Sequence, residues 1–129
     1  MALKIVLWIV AVAQLVLGVL TLFVPIQFSA WMGLSVPAAD SGYLMGMLGA
    51  RFICYGIGAL WLARQKEPDR FWVNNLVVIQ LLDFAAGGYY LLTGTIGPAT
   101  AAFPMFNAAL FAGLLWWFSR RSGQVAAAT

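Results

Sequence analysis

The chain has no histidine, a single cysteine and only 9% charged residues among its 129. Without imidazole there is no histidine ligand for haem, chlorophyll, zinc or copper, and no Ser-His or Cys-His nucleophile pair. Cys54 alone makes no internal disulfide and reads as a small apolar side chain. Neither a Walker loop nor a Gly-x-Gly-x-x-Gly step before a helix is present, which removes the usual phosphate and dinucleotide cradles. We therefore expect no enzymatic activity, no cofactor and no metal. The shortage of charge says most: soluble domains carry about 25% charged residues, whereas this chain is 64% hydrophobic with a mean hydropathy of +0.93. That composition belongs to an integral membrane protein.

The few charges locate the spans. None lies between Lys4 and Asp40, only Arg51 lies between Asp40 and Arg64, and only Asp83 lies between Arg70 and Arg120. A membrane-crossing helix takes about 20 mostly apolar residues. The first interval thus holds one helix and a connector, the second one helix, and the third two. The approximate spans are 4–24, 41–63, 71–92 and 101–119, in one domain covering 1–129. Pro25 follows the first span, Pro37 and Asp40-Ser41 precede the second with capping chemistry, and Pro68-Asp69 precedes the third. Thr93-Gly94-Thr95 and Gly97-Pro98 form the last turn, with Pro104 placed in the first turn of the final helix. The longest connector contains Phe28, Trp31, Met32 and Leu34, which suggests a segment lying in the membrane interface.

Lys4, Arg64, Lys66, Arg70, Arg120 and Arg121 all fall at helix ends on one side, and the two opposite connectors contain no Lys or Arg. Positive residues stay on the cytoplasmic side, so both termini are expected there. The first apolar run exceeds the 7 to 15 residues or so of a signal-peptide core, and Phe28-Ser29-Ala30 lacks a small residue three positions before a cut. It is expected to be a mature helix. The fold expected is all-α, an integral membrane four-helix bundle with antiparallel up-down order, because the loops are short. The net charge of +3 is divided among three small clusters beside helices. That pattern suits membrane lipids as partners and gives no footprint for nucleic acid.

Depth along each span follows from a rise of about 1.5 Å per residue. Counted from their basic ends, Asp83 comes at about 18 Å and Arg51 at about 20 Å, while Gln14 comes at about 15 Å and Asn107 at about 20 Å. Four polar residues, one from each span, therefore share a midmembrane layer. A charge at that depth costs about 2.5 to 3.5 kcal/mol on insertion scales and usually pairs in the bundle interior. The expectation is an Arg51–Asp83 ion pair with Gln14 and Asn107 as neighbours. Such a layer can be glue between helices or a site for a solute, proton or lipid headgroup. Gln80, Asp83, Gly87 and Tyr90 share one helical stripe, Ala11, Gln14, Gly18 and Thr21 another, and Tyr55 stands one turn from Arg51. Tyr55, Gln80 and Tyr90 are thus candidate lining residues.

Gly42, Gly46, Ala50, Cys54 and Gly58 recur every four residues along the second span, and small residues at such spacing admit a close helix neighbour in the same chain or a second protomer. Ala108, Ala109, Ala112 and Gly113 form a weaker face on the last span. Trp8, Trp31, Trp61, Trp72, Trp116 and Trp117 sit mostly where interfacial anchors belong.

From Pro25-Ile26-Gln27-Phe28-Ser29-Ala30-Trp31-Met32-Gly33-Leu34, followed by Gly49-Ala50-Arg51 and Gly56, the chain resembles a broad group of small, largely uncharacterised bacterial four-span membrane proteins. The resemblance covers about the first half. It implies four helices and the bacterial inner membrane, implies no activity, and assigns no role to Asp83 or Asn107. The function expected is that of a non-enzymatic accessory or scaffold subunit, or a binder of a lipophilic ligand, within a larger membrane complex or a homo-oligomer. The alternative is a small solute or proton transporter or channel that uses the Arg51/Asp83 layer.

Overall fold

The computed structural model describes residues 1–35, 38 and 40–126, with side chains described as far as Arg121. Its elements are α1 (Ala2–Phe23), α2 (Pro25–Trp31), α3 (Ser41–Arg64), α4 (Arg70–Leu92) and α5 (Pro98–Ala126), and no strand occurs among the described residues. The fold is all-α. Four helices, α1, α3, α4 and the Pro98–Arg121 part of α5, are long and apolar enough to cross a membrane. This is the composition of a multi-pass membrane protein.

The fifth helix, α2, lies in the connector that the sequence marks as able to hold extra structure. Pro25 starts it at the first helical position, where no amide donor is needed. Gly33 stops it at φ +73, with its own amide bonded to Ala30 O at 3.0 Å and that of Leu34 to Ser29 O at 2.9 Å. The same paired ending closes α4, where Gly94 at φ +70 donates to Leu91 O and Thr95 donates to Tyr90 O. Both positions require the left-handed conformation that glycine adopts without a Cβ penalty. Trp31 at the end of α2 is 78% exposed.

Two start signals differ from expectation. Asp69 caps α4, accepting the Trp72 amide at 3.2 Å, but Asp40 makes no cap bond to α3. Its backbone is already helical (φ −70, ψ −27), which turns the carboxylate away from the first amides. Pro37 lies outside the described residues. The last helix starts at Pro98 and not near residue 101, which puts Pro104 inside the helix and deprives the Thr100 carbonyl of a donor.

Packing is uneven. α1 lies mainly against α3, and α4 against α5; a smaller α1–α5 contact joins the pairs, while α3 and α4 barely touch despite their short connection. The core consists of Leu3, Val6, Leu7, Val10 and Ala11 of α1, Ala59, Leu62 and Ala63 of α3, Val73, Leu76 and Val77 of α4, and Ala112 and Leu115 of α5. These residues all come from the halves of their helices next to the basic ends. Beyond them α1 stays against α3 at Gly18 and Gly49, and α4 against α5 at Gly87 and Met105, while residues 81–86 of α4 are exposed throughout. Around α1 the buried stripe Leu7, Val10, Gln14, Gly18 and Thr21 is opposed by exposed Ile5, Ile9, Val12, Val16 and Val19. An apolar outer face is what hydrocarbon requires in place of water.

Candidate functional site

The direction of Arg51 is set by three glycines. A Cβ on Gly18 would fall 2.9 Å from Gly49 O and 2.7 Å from the Ile53 side chain. One on Gly49 would fall 2.8 Å from Leu22 N, and one on Gly56 would fall 2.7 Å from the Leu15 side chain. Only glycine permits this approach, and it fixes which side of α3 faces α1. Arg51 is two residues past Gly49, or about 200° further round the helix. It therefore points away from α1 and is exposed.

The α4 wall is set by its core contacts. Val73, Val77 and Gln80 are buried, Gln80 at 4% exposure, and Gly87 sits where a Cβ would meet Met105 of α5 at 2.8 Å. Asp83 is turned about 60° from Gln80 and about 40° from Gly87, and falls within about 20° of Trp72 and Leu76. Those two residues belong to a groove of about 330 Å³ between α3 and α4, lined by Cys54, Tyr55, Gly58, Trp61 and Leu62 on one wall and by Trp72, Asn75 and Leu76 on the other. Arg51 in turn lies within about 20° of Gly58 and Leu62. The two charges thus continue the two walls of one groove.

They do not form the expected ion pair. Among the described residues no salt bridge or hydrogen bond joins Arg51 to Asp83, and both are exposed. Equal depth was correctly a condition for contact, but α3 and α4 barely touch. Gln14 is 6% exposed inside the bundle and its Oε1 has no hydrogen-bond partner among the described residues. Asn107 is half-buried on α5. The polar layer is therefore divided between a buried amide at the core edge and two exposed charges on α3 and α4. Tyr55 lines the groove, Gln80 faces the core, and Tyr90 is exposed with its ring 5.4 Å from Tyr89.

Comparison with protein-family models, curated proteins and solved structures gives no match. The chemistry has to be read from the chain's own residues. Among the described residues no three His, Cys, Asp or Glu side chains are grouped to hold a metal.

The row of small residues makes little contact within the chain. A Cβ on Gly42 or Gly58 would meet nothing within 4 Å; Gly46 touches only the tip of Leu22 at 3.7 Å; Ala50 and Cys54 are exposed. A step of four residues advances about 40° round a helix, so the row winds through about 160° from Gly42 to Gly58. A step of seven drifts only about 20°, and Gly49 with Gly56 is that step. This spacing is visible in the sequence, and it singles out the contact with α1. The rest of the row, Ala50, Cys54 and Gly58, is left on the outer side of α3 beside Arg51.

At the basic end, guanidinium groups lie over tryptophan rings: Arg64 over Trp8 at 5.7 Å, Arg120 over Trp116 at 4.3 Å and Arg121 over Trp117 at 4.7 Å. The first of these ties the start of α1 to the end of α3. A second, shallower groove of about 430 Å³ between α4 and α5 is lined by Val77, Leu81, Phe84, Ala109, Ala112, Gly113 and Trp116.

Proposed function

We propose that the protein is a non-enzymatic multi-pass subunit of the bacterial inner membrane, with both termini cytoplasmic and antiparallel up-down spans, and that it acts as an accessory or scaffold protein through the α3/α4 face. The observation that supports this reading is the pair of exposed charges, Arg51 and Asp83, on the helix faces that further along form the walls of a mostly apolar groove. Each charge facing hydrocarbon costs about 2.5 to 3.5 kcal/mol. An added membrane helix bearing polar groups removes that cost. The exposed small residues Ala50, Cys54 and Gly58 offer such a helix a close approach.

A second reading, binding of a lipophilic ligand, is favoured by the groove itself, where Tyr55, Trp61 and Trp72 supply flat aromatic surface. Transport of a solute or proton is less well supported, because the groove walls are apolar apart from Asn75 and Tyr55. Purification of the tagged chain in mild detergent tests the leading reading. Stoichiometric association that is lost in Ala50→Leu and kept in Val16→Leu is the expected result. A chain that stays single in every mild detergent overturns it.

A further inference from the structure

We infer that the α3/α4 face is the interface of a two-fold symmetric homodimer in which Arg51 of each copy pairs with Asp83 of the other. The inference rests on the docking role proposed for that face and names its occupant as a second copy of this chain. The argument is one of self-complementarity. A two-fold axis along the membrane normal moves each residue sideways and leaves its depth unchanged, so residues that meet across such an interface must lie at equal depth. Arg51 and Asp83 do, at about 20 and about 18 Å from their basic ends. They are of opposite sign, lie within about 20° of residues on the two walls of one groove, and have no partner among the described residues. In an isologous interface residue i meets j and j meets i. One patch carrying a single cation and a single anion then forms two identical ion pairs and leaves no net charge in the membrane.

Shape agrees independently. The part of α3 that a second copy would approach carries Ala50, Cys54 and Gly58, all exposed and all small, and a Cβ on Gly58 would meet nothing within 4 Å. The face carries small side chains on α3 where it must be approached, and opposite charges where it must register. A lipid headgroup would also supply both signs, but phospholipid charges reside at the bilayer surface, well away from the level of Arg51 and Asp83. A different membrane protein would need its own matching acid and base at that depth. A second copy has them already.

Two differently tagged chains test this, expressed singly and together. Arg51→Asp places two acids on the patch and Asp83→Arg places two guanidinium groups there. Each variant alone should lose self-association by roughly a hundredfold, the effect of spoiling a buried interfacial pair. The two variants expressed together should recover it, because every contact in the mixed dimer is again between opposite charges. Light-scattering mass in mild detergent and co-purification of the tags report both results. Recovery in the mixture also shows that each variant folds. An intrachain pair cannot give this complementation, so a mixture that remains unassociated overturns the inference, as does a wild-type chain of single-chain mass. If that single chain nevertheless recruits a different subunit in stoichiometric amount, homodimerisation fails and the accessory role stands; if it recruits none, both fail.

Discussion

Gly18 of α1 and Gly49 of α3 face each other so closely that a Cβ built on either lies 2.9 Å from the carbonyl oxygen of the other. In lipid no hydrophobic drive brings helices together, and close backbone contact takes its place. The Gly18–Gly49 crossing, extended one heptad along α3 by Gly56, holds α1 against α3 and thereby turns Arg51 outward. The groove and its charges are a consequence of this contact.

Gly49→Leu and Gly18→Leu should accordingly separate α1 from α3 and destabilise the fold by about 1 to 3 kcal/mol through overpacking. Gly42→Leu, at a position with open space around its Cβ, should leave stability unchanged. Melting temperatures in detergent measure the difference. Equal effects at Gly49 and Gly42 would show that the crossing lies elsewhere on α3.

The spans were legible in the sequence because charge is so rare: expected limits of 41–63 and 71–92 compare with Ser41–Arg64 and Arg70–Leu92. The depth of Arg51 and Asp83 followed from the same ruler. Their separation did not, because it depends on how α3 lies against α4, and residue spacing within one helix carries no information on the distance to the next. The four-residue row from Gly42 to Gly58 left its neighbour open for a related reason: chemistry marks small residues, but only helical phase tells which of them meet a helix of the same chain. Gln14 is expected beside the Arg51–Asp83 pair, yet its buried Oε1 has no partner among the described residues.

That orphaned oxygen gives the second prediction. A buried amide without a partner forfeits its hydrogen bonds and gains nothing in return. Gln14→Leu should keep the packing of α1 and raise stability by about 1 kcal/mol. A loss of stability of similar size, read as a lower melting temperature, would mean that Gln14 has a polar partner in the membrane-embedded protein.

Topology supplies the third. If the basic ends are cytoplasmic, as proposed, a reporter fused after Thr129 should report cytoplasm, and one inserted near Ala38 or Gly97 should report the opposite side. The approach of Arg64 to the Trp8 ring already joins two of these ends. A C-terminal reporter that scores as external would require a different number of crossings.

The last prediction separates the contacts within one chain from those between chains. Inside a single chain no side-chain bond joins Arg51 to Asp83, or either of them to any other described residue, so neutralising either one removes none. In a detergent harsh enough to hold the protein as single chains, Arg51→Gln and Asp83→Asn should each shift stability by less than about 0.5 kcal/mol, as exposed substitutions away from specific contacts do. The double variant should be additive within about 0.3 to 0.5 kcal/mol, as expected of residues that share no partner. In a mild detergent that preserves assembly, the same single variants should each cost about 3 to 5 kcal/mol by leaving one charge of a buried pair uncompensated. The double variant should then recover much of the loss, since two amides carry no charge and still hydrogen-bond. Strong coupling that persists in single chains would place the pair within one protomer and close the α3/α4 groove, and with it the surface on which a second copy docks.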